Sequence, residues 1–210
     1  KMKNINIQKV NTSNSSLQSI IDAKTKPMGA LGLLETIGYQ IGCIQNTTSP
    51  NVDHPRCFVL ASDHGASVEG VSAYPKEVTS QMVLNFLNDG AAINCFAKQH
   101  RIDLQIVDCG VDYEFEKNPK LTCMKIRNST SNYFTGDAMQ EDELYRSIAN
   151  GFTLSQKAKQ EGINLILLGE MGIANTSSAS LIFSKLENID IQECVGSGTG
   201  MYDQLLNKKK

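Results

Sequence analysis

Short apolar runs, each followed by a polar loop, recur along the chain. The three most apolar runs lie at residues 57–61 (CFVLA), 104–107 (LQIV) and 163–168 (INLILL), and each is long enough for a strand. Strands with apolar side chains on both faces are typical of parallel sheets, which are covered on both sides. We therefore predict that the first run is a strand buried on both faces and that the other two are strands of the same mostly parallel sheet, with a weaker strand near residues 123–126.

Helical patterns lie between these runs. Segments with apolar residues at helical spacing, or with the acidic start that suits a helix N-terminus, begin at Leu17 and extend over residues 33–44, 78–98 with a break near Gly90, 141–159 and 178–186. Alternation of strands and helices favours an α/β fold. The predicted fold class is a three-layer, Rossmann-like α/β structure with a mostly parallel sheet and flanking helices, plus a small N-terminal helical part.

Residues 46–56 form a polar stretch of the kind that links domains. We therefore predict an N-terminal helical segment over residues 1–45 and an α/β nucleotide-binding domain over residues 46–210. In the helix before the linker, Leu34, Ile37 and Ile41 recur at the spacing of an amphipathic helix.

Candidate functional residues follow the predicted strands. Ligands of open parallel sheets bind beyond the carboxyl ends of the strands, and polar loops lie there at residues 62–65, 108–110 and 169–176. Asp63 and His64 directly follow the first strand, where catalytic groups are common, although Asp-His pairs also cap turns.

The loop GEMGIANT at residues 169–176 joins a predicted strand to a helix. Gly172 lets backbone N–H groups approach an anion closely, and Asn175 and Thr176 add donors where the helix dipole favours phosphate. A plain strand-to-helix turn with an N-cap explains the same residues. Glu170 can act as a base, orient a substrate, or simply hold the loop by accepting backbone N–H bonds.

A second glycine-rich segment, CVGSGTG, occupies residues 194–200 and suits a phosphate or a ribose. It lacks the strand-to-helix step of a dinucleotide fingerprint. Residues 208–210 are lysines, which can bind phosphate as point charges or form a solvated tail.

Composition argues against several other functions. The net charge of -2 gives no general attraction to nucleic acid, and no apolar run approaches the roughly 20 residues that a membrane span needs. The six cysteines form no C-x-x-C pair and no zinc-like spacing with histidine, and Cys57, Cys95 and Cys109 lie in apolar runs. We therefore expect a cytoplasmic protein with reduced cysteines, no metal site and no cofactor.

Four segments, in order along the chain, resemble the motifs of one family. They are KPMGALGLLE at residues 26–35, DHG at 63–65 with EGVSAYPKEVT at 69–79, GEMGIANT at 169–176, and GTG at 198–200 followed by Lys209. On these motifs the chain resembles the nicotinate-nucleotide–dimethylbenzimidazole phosphoribosyltransferase family, which builds the lower-ligand nucleotide of cobalamin. We expect a C-terminally shortened member, without the last third of the family's length.

The resemblance implies transfer of phosphoribose from nicotinate mononucleotide to 5,6-dimethylbenzimidazole, with release of α-ribazole 5′-phosphate and nicotinate. It also implies a homodimer that acts on small molecules. It assigns the base pocket to Tyr74, Pro75 and Met82. It assigns the phosphoribosyl end of the donor to Gly172, Asn175, Thr176, Gly198, Thr199, Gly200 and Lys209.

The chain departs from the family pattern at several positions. Ala174 stands where the pattern often has Gly, a mild change if its φ is negative, and Ser129 and Asp137 replace a usual Gly and Pro. The family's principal catalytic glutamate lies beyond residue 210, so Glu170 is the candidate base unless another chain supplies one.

Two other functions stay open. One is a module that binds nicotinate mononucleotide or phosphate without turnover. The other is a generic nucleotide-binding domain, which the missing dinucleotide fingerprint disfavours.

Overall fold

A computed structural model describes residues 9–196 and residue 198. The chain divides into two compact units, the first ending at Asp53 and the second beginning at His54. The domain boundary predicted between residues 45 and 46 stays a prediction.

The first unit holds two helices, α1 (Ser15–Asp22) and α2 (Leu33–Gln45). Asn14 caps α1, its side-chain oxygen accepting the Leu17 N–H at 3.0 Å. The cap satisfies one of the backbone donors that every helix start leaves unpaired.

The packing face of α2 is centred on Gly42 and Cys43. Gly42 is buried because it lies against the side chain of Leu17, which occupies the space that a Cβ would fill. Leu34 and Ile37 are not among the buried residues of α2. The apolar periodicity predicts the helix correctly. Of its three residues Ile41 is partly buried, next to Gly42 and to Cys43, which packs with Leu17.

The second unit is built on a parallel sheet whose described strands have the order β3–β2–β1–β4. β1 (Pro55–Ser62) pairs with β2 (Asp103–Gly110) on one side and with β4 (Leu165–Met171) on the other. The short β3 (Leu121–Cys123) extends the sheet beyond β2. The parallel sheet and its three main strands are confirmed, and the weak strand lies earlier than the predicted residues 123–126.

Helices flank this sheet. They are a 3₁₀ helix (Gly65–Glu69), α3 (Val78–Leu87), α4 (Ala92–Gln99), α5 (Glu141–Gln160), α6 (Asn175–Glu187) and α7 (Ile191–Cys194). The predicted break near Gly90 is confirmed, whereas α6 begins earlier than the predicted residue 178. In the described part of the chain, no helix is long and apolar enough to cross a membrane.

β1 contributes to a core on each face of the sheet. On one face, Val59 packs in a buried cluster with Val83 of α3 and Ile106 of β2. On the other face, Phe58 packs in a second cluster with Leu154 of α5. Because successive side chains of a strand point to opposite faces, an apolar run supplies both cores. The three-layer α/β class is thereby confirmed.

β4 is less covered than β1. Leu167 and Met171 pack against the core, but Ile166 and Leu168 on the other face are exposed, Leu168 by 77%. Among the described strands β4 pairs only with β1, so it is an edge strand. An apolar run identifies a strand but does not determine whether a neighbour covers it.

Two positions at which the family pattern has Gly adopt a left-handed backbone. The φ angles are 76° at Ala174 and 60° at Ser129. A residue with a Cβ loses roughly 1–2 kcal/mol in this conformation. The replacement at Ala174 is therefore not mild, and the backbone at Ser129 keeps a conformation that suits glycine.

We expect Ser129→Gly to raise the free energy of unfolding by about 1 kcal/mol, because glycine adopts this backbone without the Cβ penalty. Ser155→Gly, on the exposed surface of α5, is the matched control. It should lower stability by about 0.5 kcal/mol, since glycine is the poorer helix former. Urea unfolding of both variants and the parent measures these changes, and a destabilised Ser129→Gly protein would contradict the strain.

Candidate functional site

The ends of three strands meet at the carboxyl edge of the sheet. The register pairs Ala61 of β1 with Asp108 of β2, and Leu60 of β1 with Glu170 of β4. The polar residues that follow these strands therefore lie side by side, as expected for a parallel sheet.

Glu170 lies within β4 rather than in the loop that follows it. The side-chain amide of Asn175, at the start of α6, donates a hydrogen bond to Oε2 of Glu170. Nε2 of His64 lies 3.5 Å from Oε1. The carboxylate is held from two sides, yet its side chain remains 45% exposed.

The ring of His64 connects β1 to α6. Its Nδ1 lies 3.1 Å from Oγ of Ser178, while its Nε2 faces Glu170. The residue after His64 holds this turn in place, because the Gly65 N–H donates a hydrogen bond to Oγ1 of Thr130 at 3.1 Å. No spacing in the sequence links His64 to Glu170; the pairing of β1 with β4 brings them together.

Gly172 lies where the loop after β4 packs against the end of β1. A Cβ at this position would overlap the carbonyl oxygen of Ser62 and lie 2.8 Å from Nε2 of His64. Glycine is therefore needed here for steric reasons, in addition to the anion contact predicted for it.

The predicted donor-binding residues are only partly described. Asn175 uses both ends of its amide locally, because its Oδ1 also accepts the Thr176 N–H at 2.7 Å. Gly198 is exposed and has a φ of 57°. The remaining predicted donor contacts, Thr199, Gly200 and Lys209, lie outside the described residues.

The predicted base-pocket residues surround the start of α3. Tyr74 and Pro75 are exposed, whereas Met82 packs partly buried against the main core. Thr79 anchors this segment to the loop after β4, since its Oγ1 accepts the buried Ile173 N–H at 3.1 Å.

Asp63 holds together the loops at this edge. Its buried carboxylate accepts the Asp112 N–H at 2.8 Å. The side chain of Asp112 in turn lies 2.9 Å from Nζ of Lys76. The Lys76 ammonium lowers the pKa of the Asp112 carboxyl, chiefly through this hydrogen bond. These contacts favour the interpretation of Asp63 as a loop-holding residue.

Cys109 is the thiol nearest this edge. Burial, with a smaller effect of the neighbouring Asp108 carboxylate, raises the pKa of Cys109 to about 11. A thiol with so high a pKa stays protonated and is a poor nucleophile. Among residues 9–196, no three His, Cys, Asp or Glu side chains cluster closely enough to hold a metal ion.

A cavity of about 710 Å³ opens beside α6 and α7, a size that suits a small organic ligand. Its wall includes the stacked rings of Tyr133 and Phe134, whose centroids are 5.0 Å apart, and Val195. Ser177, another wall residue, precedes the Ser178 that contacts His64. The sequence patterns did not single out this aromatic pair.

Comparisons with known proteins agree on one family. A family model described as phosphoribosyltransferase matches residues 7–210. The nicotinate-nucleotide–dimethylbenzimidazole phosphoribosyltransferase of Dechloromonas aromatica (strain RCB) is 45% identical over 196 residues, which are 93% of this chain and 56% of that protein. The enzyme of the same name from Bacteroides fragilis (strain YCH46) is 43% identical over 190 residues, or 90% and 55% of the two chains.

A comparison with solved structures finds proteins of the same family. The crystal structure of CobT from Thermus thermophilus superposes with a TM-score of 0.89 at 39% identity, covering 92% of this chain and 58% of that one. The chain thus spans just over half the length of the curated relatives it matches. On this agreement of sequence and fold, the chain belongs to the phosphoribosyltransferase family whose curated members are named nicotinate-nucleotide–dimethylbenzimidazole phosphoribosyltransferases.

Proposed function

We propose that this chain catalyses the transfer of phosphoribose from nicotinate mononucleotide to 5,6-dimethylbenzimidazole, giving α-ribazole 5′-phosphate and nicotinate. The curated relatives are named for this transfer. The observation that carries the proposal is the Glu170 carboxylate, held between Asn175 and His64 at the carboxyl edge of the sheet.

The chemistry of the transfer matches a site with one fixed carboxylate. The nicotinate leaves as a neutral pyridine when its bond to C1′ breaks, because its ring nitrogen is cationic in the donor and takes the electron pair. One imidazole nitrogen of the acceptor forms the new bond to C1′. The other must lose its proton, which Glu170 is placed to accept as a general base.

The donor is proposed to lie along the loop after β4 and the start of α6. Gly172, Asn175 and Thr176 follow Glu170 there, and the helix N-terminus favours the phosphate. The cavity beside α6 is lined in part by Val195, which belongs to the second glycine-rich segment. We assign the phosphoribosyl end to these residues together with Gly198, Thr199, Gly200 and Lys209.

The acceptor is proposed to lie against Tyr74, Pro75 and Met82. The hydrogen bond between Thr79 and Ile173 fixes this segment beside the loop that follows Glu170. An exposed aromatic ring such as Tyr74 offers a flat apolar surface for a benzimidazole. We further propose a cytoplasmic homodimer that needs no cofactor.

We expect the chain to release nicotinate when it is supplied with nicotinate mononucleotide and dimethylbenzimidazole. Glu170→Gln should lower kcat by about 10²-fold or more, because a glutamine cannot accept the acceptor's proton. Separation of nicotinate by liquid chromatography measures the rate. Glu187→Gln, an exposed substitution at the far end of α6, is the matched control and should leave kcat unchanged.

Absence of release, with nicotinate mononucleotide still bound, would contradict the role of Glu170 as the base. The chain would then be a donor-binding module without turnover. Equal losses of activity in the two glutamine variants would also contradict that role.

We expect Gly172→Ala to weaken binding of nicotinate mononucleotide and to lower stability by about 1–3 kcal/mol. The added methyl overlaps the Ser62 carbonyl, so the loop before α6 must shift. Gly151→Ala, within α5, meets no atom within 4 Å and is the control. Calorimetric titration with the mononucleotide, alongside thermal unfolding, separates the two effects. Unchanged affinity and stability in Gly172→Ala would contradict the close packing.

A further inference from the structure

We propose that His64 is a positioning residue that fixes the Glu170 carboxylate by donating a hydrogen bond from Nε2, while its Nδ1 accepts one from Ser178. The role in turnover rests on the proposed function, whereas the contact itself can be tested separately. His64 and Ser178 are not among the residues assigned above as the base or as donor contacts.

The partners of the ring determine where its proton lies. An ionised carboxylate only accepts hydrogen bonds, so Nε2 must carry the proton when it faces Glu170. The neutral ring then has a lone pair on Nδ1, which accepts the hydroxyl hydrogen of Ser178 across 3.1 Å. The Ser178 hydroxyl can donate or accept, so it is compatible with the tautomer that the Glu170 carboxylate selects.

Burial differs between the two ends of this contact. The side chain of His64 is 16% exposed, whereas that of Glu170 is 45% exposed. The inner group is therefore held by protein atoms, and the outer group is open to solvent on the side where the proposed function places the substrate. The 3.5 Å separation is long for a hydrogen bond, and such contacts commonly shorten when a substrate enters the site.

The surrounding backbone holds the ring in place. Gly172 leaves the space beside Nε2 that a Cβ would occupy. A Cβ at Gly65 would lie 2.6 Å from the backbone nitrogen of Asn132, so that turn is also closely packed. A ring confined on these sides can orient a carboxylate without moving itself, which is the arrangement that supports an accurate site.

The position of the proton on the His64 ring depends on which side chain stands at residue 170, because Asn175 also donates a hydrogen bond to that side chain. Both oxygens of Glu170 face nitrogen donors, Nε2 of His64 and Nδ2 of Asn175. A glutamine has one acceptor oxygen, so its NH₂ must face one of these donors. If the oxygen stays with Asn175, Nε2 of His64 must become an acceptor and the proton must move to Nδ1.

The decisive experiment is heteronuclear NMR of the imidazole nitrogens at a pH at which the ring is neutral. The chain contains three histidines, and His54 and His100 are exposed, so a His64→Gln variant assigns the signal of His64. We expect the proton on Nε2 in the parent protein and a larger Nδ1–H population in Glu170→Gln. Glu187→Gln should leave the tautomer unchanged.

A proton on Nδ1 in the parent protein would overturn the proposal. The expected tautomer without nicotinate release would contradict the proposed reaction and leave the contact established. Nicotinate release with the opposite tautomer would contradict the role of His64 alone.

Two substitutions of His64 distinguish positioning from a general structural role. The amide of His64→Gln reaches the place of Nε2, whereas that of His64→Asn reaches only the place of Nδ1. We expect kcat to fall by about 10²-fold in His64→Asn, with little change in KM, and by clearly less in His64→Gln. Equal falls in the two variants, or a change confined to KM, would overturn the positioning role.

Discussion

The pairing of β1 with a parallel neighbour on each side is the constraint on which the site depends. β2 and β4 are far apart along the chain, and only β1 holds their ends at one edge. The strand can occupy this position because its side chains are apolar on both faces and supply two cores. Functional contacts between the loops are therefore a direct consequence of the burial of β1.

The close approach of the loop after β4 to the end of β1 determines the geometry of the site. At Gly172 the loop after β4 passes so near the Ser62 carbonyl that no side chain fits. The same approach brings His64 to Glu170 and places α6 so that Ser178 reaches the ring. Shortly after Gly172 the backbone keeps a positive φ at Ala174 although a side chain is present. Strain that persists beside a site shows that the surrounding packing fixes this turn.

Local sequence patterns predict local structure, but they fail where contacts with distant segments determine the packing. Apolar runs predict the three main strands, because runs of apolar residues of this length are typical of strands in parallel sheets. They do not predict that Leu168 is exposed, since exposure depends on whether another segment covers that face of β4. Helical spacing likewise misses the packing at Gly42, which depends on Leu17. Glu170 is recognisable by its glycine-rich loop, but its partner His64 lies on another strand and only the sheet order links them.

The open edge of the sheet and the exposure of Glu170 have a common origin. Both belong to β4, which in the described residues pairs only with β1. In the proposed reaction the donor's pyridinium ring is already cationic and leaves without an acid, so the proposal assigns catalysis to aligning one carboxylate and limiting its hydration. A carboxylate surrounded by water is stabilised as an anion and is the weaker base, whereas exclusion of water strengthens the interactions around it. A protein segment packed against Ile166 and Leu168 would therefore cover apolar surface. Through the same contact it would exclude water from the Glu170 carboxylate and strengthen the interactions around it.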